Sequence, residues 1–262
     1  MTDHPDDDAT SGNTPVAKRK KTNAARARRK SAALPIEGTP LKRRKPRLPV
    51  SRQSKPAGKS RDAIATRAQI LEVATAEFAA KGLGGARVDT IAERAGFNKR
   101  MLYHYFESKE NLFQAVIETA YMKIWQAEAT LELNHMPPEQ ALRRLVVFTW
   151  DYYIAHPEFI TLLNSENLHQ AKHFKRSQII QDQARQSRDL VRQILDRGVE
   201  EGIFRSGIDS IQLNITISAL GYYYLTNHHT ASVVYERNMA SPEALADRLE
   251  FNIQSILAIV RV

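Results

Sequence analysis

Lys99, Arg100, Tyr103 and His104 cluster on a short stretch whose pattern is helical. An arginine can donate two hydrogen bonds to guanine O6 and N7, lysine and tyrosine suit phosphate oxygens, and histidine can serve either. On a helix advancing about 100° per residue, Leu102 must face a core, with Tyr105 and Phe106 near it. Arg100 and His104 then fall on the opposite side, one turn apart. Tyr103 and Lys99 lie on one flank and Met101 on the other. Lys109 follows Ser108, so a phosphate there would meet a cation and a helix N-terminus together. Arg87 could hold another phosphate. The chemistry on offer is recognition of nucleobase edges and phosphates. The candidate DNA-binding residues are Arg87, Asn98, Lys99, Arg100, Met101, Tyr103, His104 and Lys109. The alternative is a solvated polar face on an ordinary helical hairpin. A short helix, a glycine turn, outward cations and a capped following helix together favour DNA.

The elements that must position these groups read as helices almost throughout from residue 62. Ile70, Leu71, Ala74 and Phe78 mark the apolar face of a first helix, which stops at Lys81-Gly82. A second helix covers about Val88–Ala95, Gly96 supplies the turn, and Asn98 caps a third over about Lys99–Tyr105. Ser108 caps a fourth, with Asn111 in place of the usual Glu or Gln of a capping box. This helix runs to about Leu133, long enough to link two domains. Pro137-Pro138 start a fifth, which ends at His156-Pro157, where a short sixth begins. A seventh spans roughly Phe174–Glu201, an eighth Asp209–Asn227, and a ninth runs from Ser241-Pro242 to about Ile259. No strand pattern and no internal repeat is evident.

Composition narrows the function. There is no cysteine, which excludes disulfides, thiolate catalysis and cysteine metal sites. No apolar run approaches a membrane span, and the acidic first residues do not resemble a secretory signal. A cytoplasmic location is expected. The net charge of +9 is uneven: residues 1–60 hold 16 Lys/Arg against 5 Asp/Glu, and the remainder holds 22 against 24. The leader, with basic clusters at Lys18–Lys30 and Lys42–Arg47, reads as a disordered basic tail. It is either a DNA-attracting arm or a solubilising segment. Affinity in the folded part must come from a local cluster.

Residues 121–229 concentrate aromatics and amides, as a small-molecule site requires. Several of them must be core, and Tyr222-Tyr223-Tyr224 cannot all line one pocket. The candidate effector-binding residues are Trp125, Phe148, Tyr152, Asn167 and Tyr222. His169 and His173 are spaced for one helix face, with Glu166 the only near third ligand, in a segment that reads as an exposed loop or helix end. No metal site is assigned and no cofactor is expected. His228 and His229 are read as helix-end residues pointing apart. The last two helices carry more apolar surface than an edge position needs, which is either a homodimer interface or burial within the monomer.

From Arg67 to Leu112 the sequence closely resembles the tetracycline-repressor (TetR) family of bacterial transcriptional regulators. The resemblance rests on Ile70-Leu71, Ala74, Phe78 and Gly82; on Ile91-Ala92 through Ala95-Gly96; and on Leu102-Tyr103-His104-Tyr105-Phe106 through Lys109-Glu110 and Leu112. It implies an all-α homodimer that represses by binding a near-palindromic operator and is released by a small effector. Family DNA contacts carry over to Lys99, Arg100, Tyr103, His104 and Lys109. Arg87 departs from the Thr or Ser often found before helix two, and the long leader is atypical. The expected organisation is a basic tail over 1–60, a three-helix helix-turn-helix DNA-binding domain over 61–110, and a helical effector-binding and dimerisation domain over 111–262. A transcriptional activator of the same fold and a general DNA-coating protein remain alternatives. An enzyme is not expected, since no glycine-rich phosphate loop, zinc motif or Ser/His/Asp set can be singled out.

Overall fold

The computed structural model describes residues 57–262, with the side chains of 57–61 and 185–188 outside that description. The basic leader therefore lies outside the described residues up to residue 56. Nine α-helices follow among the described residues: α1 (Ala57–Gly85), α2 (Val88–Arg94), α3 (Lys99–Phe106), α4 (Lys109–Ala129), α5 (Pro138–Ala155), α6 (Pro157–Leu168), α7 (Gln178–Glu200), α8 (Ser210–Val234) and α9 (Pro242–Val260). No strand occurs among them; one antiparallel bridge pairs Phe204 with Arg261.

The first core is built by α1 to α4. Ile70, Phe78, Ile91, Leu102, Phe113 and Ile117 are all almost fully buried. Each contributes about 1.5–3 kcal/mol by leaving water. The Phe78 and Phe113 rings meet edge to face at 5.1 Å. Leu162 of α6 and Ile180 of α7 enter the same cluster, so the helix-turn-helix is packed onto the rest of the chain through α1 and α4. A second cluster joins Leu142, Leu145, Ile194, Ile217 and Ile256 of α5, α7, α8 and α9.

At Gly82 the backbone leaves the helical region (φ 64°, ψ 176°), as expected of the glycine that stops the first run, and a short further turn continues to Gly85 within α1. Other helix ends differ from the sequence expectation. α4 stops at Ala129, not Leu133, because Glu132 adopts φ 50° and Leu133 is buried. Arg197 of α7 then donates to the carbonyls of Leu133, Asn134 and Met136 at 2.9, 3.1 and 2.7 Å. α7 starts four residues later than expected, with Ser177 as its N-cap.

The cause of that late start lies in Glu166. It is 1% exposed, and its carboxylate accepts from the N–H groups of His173 and Phe174 at 2.8 and 3.1 Å. His173 Nδ1 pairs with its other oxygen at 2.6 Å. These bonds hold a 3-10 turn at Phe174–Arg176. His173 is thus buried at 1% exposure, not in an exposed loop. Its ring packs edge to face on Phe113 at 5.0 Å. α8 likewise runs beyond Asn227 to Val234, and the His228 and His229 rings lie 3.9 Å apart instead of diverging.

Candidate functional site

The turn between α2 and α3 is set by Gly96 (φ 73°) and closed by the Phe97 N–H donating to the Ala92 carbonyl at 2.9 Å. Asn98 then starts α3, its side chain accepting from the Met101 N–H at 2.9 Å. Leu102 and Phe106 anchor α3 in the core, at 1% and 5% exposure. The Arg67 guanidinium sits over the Phe106 ring at 5.2 Å, and Gln69 of α1 donates to the Ala95 carbonyl at 3.1 Å. A helix of this length has no stability of its own; these contacts fix its direction.

With that anchoring, Lys99, Arg100, Tyr103 and His104 all lie exposed on the outer side of α3, and Met101 is half-buried at its edge. The Asn98 side chain is spent on the cap. Two cations are less free than the sequence suggests. Lys99 Nζ lies 3.0 Å from an Asp89 carboxylate oxygen, and this hydrogen-bonded partner holds the ammonium above its ordinary value. Lys109 Nζ donates to the Gly84 carbonyl at 3.3 Å. Arg87 is exposed and makes no side-chain cap.

Glu77 was not singled out from the sequence. Its side chain is 2% exposed and accepts from Lys81 Nζ at 2.8 Å and from the Arg87 N–H at 3.3 Å, with Arg94 at 3.7 Å. It ties the end of α1 to both ends of α2. The Lys81 hydrogen bond, with help from the Arg87 N–H and both cations, outweighs burial and holds Glu77 below the ordinary carboxylate value. Its sequence signal was weak: an acid beside the buried Phe78 with a lysine four residues on.

The five candidate effector residues fall on three clefts. Trp125 lines one between α4 and α7, together with Glu128, Glu132 and His135. Phe148 and Tyr152 line a second on α5, with Arg144 and His156. Asn167 and Tyr222 line a third between α6 and α8. Behind them an aromatic cluster joins α4, α5 and α6: Tyr121 meets Trp125 at 5.2 Å and Phe159 at 5.0 Å, and Tyr152 meets Phe159 at 5.8 Å. Burial pushes the Tyr121 phenol well up and that of Tyr152 to about 12, so both stay neutral donors.

Much of the apolar surface of α8 and α9 is core: Leu213, Ile217, Ile253, Ile256 and Leu257 are buried. The remainder is exposed, with Ile211 at 55%, Tyr223 at 67% and Phe251 at 59%. The described helices include none long and apolar enough to cross a membrane.

Residues 70–116 match the family model described as bacterial regulatory proteins, tetR family. Residues 138–256 match a tetracyclin repressor-like C-terminal domain. The chain is 42% identical over 193 residues to the HTH-type transcriptional repressor NicS of Pseudomonas putida, covering 74% of this chain and 91% of that protein. It is 28% identical to the repressor KstR2 of Mycobacterium tuberculosis over 55% of this chain and 71% of the relative. Among solved structures, a TetR regulator from Chloroflexus aurantiacus superposes with a TM-score of 0.61 at 19% identity, over 77% of this chain and 99% of that one. The regulator FadR of Bacillus subtilis, in complex with stearoyl-CoA, gives 0.57 at 16% identity, over 74% and 99%.

Proposed function

The chain belongs to the tetR family of bacterial regulatory proteins, and on that premise we propose that it is a cytoplasmic repressor that binds a near-palindromic operator as a homodimer and leaves it when a small effector binds. The observation that carries this reading is the outer side of α3, where Arg100 and His104 stand exposed one turn apart above a buried Leu102. Arg100 supplies the bidentate donor for guanine; Lys99, Tyr103, His104, Arg87 and Lys109 hold phosphates or base edges beside it. Residues 61–110 carry this task, and residues 111–262 carry dimerisation and the effector.

Dimerisation rests on the exposed strip of α8 and α9, where Tyr223 and Phe251 offer large apolar area outside the monomer core. Two-fold pairing places two copies of α3 about one DNA turn apart, or a multiple of it, which is why the operator is near-palindromic. The effector acts only through its difference in affinity for the DNA-bound and released forms. Two relatives are named repressors, which favours repression over activation.

Fluorescence anisotropy on duplexes from the region upstream of the chain's own gene, compared with scrambled duplexes, tests this reading. Equal affinity for specific and scrambled DNA would end it, and sedimentation showing only monomer at micromolar concentration would end the dimer.

A further inference from the structure

Helix α8 is held against α5 at Gly221, where a Cβ would come within 3.4 Å of the Tyr153 ring and 3.6 Å of Trp150. Helix α6 packs elsewhere, against α1, α4 and α5. The Tyr222 hydroxyl of α8 donates to Asn164 Oδ1 of α6. A cleft opens on each side of this bridge. One, of about 440 Å³, is lined by Leu163, Asn167, Asn214, Ile215 and Ser218. The other, of about 360 Å³, is lined by Ile160, Leu225, His228 and Leu245 among others. Tyr153 borders both. Each volume lies within the range of small-molecule sites.

The chemistry of the lining is one-sided. Neither cleft is lined by an Asp, Glu, Lys or Arg side chain. The polar groups are amides, hydroxyls and one imidazole set into aliphatic and aromatic walls. Burial pushes the Tyr153 phenol up, with partial relief from the Ser218 hydroxyl, so it stays a neutral donor. A charged ligand finds no countercharge among these lining side chains, whereas an uncharged one finds donors and acceptors ready.

Building on the reading of this chain as an effector-controlled regulator, we infer that the two clefts form one site for an uncharged, largely apolar small molecule with hydrogen-bonding groups, which enters by parting Tyr222 from Asn164. The residue after Asn164 is Ser165, whose hydroxyl accepts the Leu83 N–H of α1. A ligand that parts the bridge therefore pulls on the turn of α6 that fastens α1, and so on the element leading into the helix-turn-helix.

The test uses three probes of similar shape: 2-naphthamide, uncharged; 2-naphthoate, an anion; and 2-naphthylmethylammonium, a cation. Each is titrated into the full chain by calorimetry, and DNA binding is followed on a duplex selected by the protein itself. The amide should bind at least about tenfold more tightly than either ion. Ser218→Phe, which fills the larger cleft, should weaken amide binding by about tenfold or more while melting cooperatively, and Asn214→Asp should shift preference toward the ammonium. Tighter or equal binding of an ion overturns the inference; ammonium preference in the unmodified chain would move the site to the Trp125 cleft with Glu128 and Glu132. No saturable binding of the amide, or binding that both substitutions leave unchanged, overturns it as well. A chain that selects no duplex overturns the regulator reading, whereas one that selects a duplex and ignores the amide overturns the site alone.

Discussion

Ser165 Oγ accepts a hydrogen bond from the Leu83 N–H at 3.3 Å, joining residues 82 apart in sequence. Leu83 follows the left-handed Gly82 (φ 64°), so the bond fastens the kink of α1 to the last turn of α6. The link runs from the helices that hold the aromatic cluster to the helix that positions α2 and α3.

Ser165→Ala removes the acceptor and leaves a buried N–H unpaired, at a cost of about 1–3 kcal/mol. For a chain of this size the midpoint of thermal unfolding should fall by about 2–12 °C. Calorimetry measures it, and an unchanged midpoint would show that the bond adds nothing.

Lys99 Nζ is paired with Asp89, and on the proposed reading of α3 as the DNA-contacting helix this pair restrains one of its cations. Asp89→Asn should free it and remove a nearby negative charge. Affinity for unselected duplex should rise, and the slope of log affinity against log salt should steepen by up to about one unit. A titration from low to moderate salt gives both values; weaker binding would mean that Asp89 positions Lys99 productively.

Glu77 gives a pH dependence whose sign follows from its depressed pKa. The folded value lies below the ordinary 4.5, so the ionised form adds stability above that range. That contribution is lost as pH falls through the folded value. Urea unfolding from about pH 7 to pH 3 should therefore lose more stability in the native chain than in Glu77→Gln. Parallel profiles would show that the ion pairs do not contribute.

Glu166→Leu should cost about 3–5 kcal/mol, because it strips a buried partner from two N–H groups and the His173 ring. Urea midpoints measure the loss, and near-ultraviolet dichroism should report loosened packing around Phe113. A loss below about 1 kcal/mol would mean that water replaces the carboxylate.

The faces of α3 were legible because Leu102 and Phe106 fix its orientation within two turns, and every polar neighbour then follows from the helical period. Asn98, Ser108 and Ser241 were legible as caps because the cap is local, and all three accept the N–H bond three residues on. What stayed hidden depends on partners far away in the chain. The turn that follows α4 is held by Arg197, the start of α7 by Glu166, and Lys99 by Asp89. The grouping of Trp125, Phe148, Tyr152, Asn167 and Tyr222 assumed that aromatic density marks one cavity. They sit on four helices whose crossing directions are not written in local periodicity, and so they spread over three clefts.

The most direct test of DNA reading by α3 is selection from a random duplex pool by the native chain and by Arg100→Ala. The native chain should enrich two inverted half-sites, each with a guanine whose N7 methylation blocks binding, about one helical turn apart or a multiple of it. Arg100→Ala should lose that guanine preference and about 1–3 kcal/mol per half-site while remaining a dimer. Enrichment of the same motif with undiminished affinity by Arg100→Ala would contradict the assignment of α3 as the reading helix.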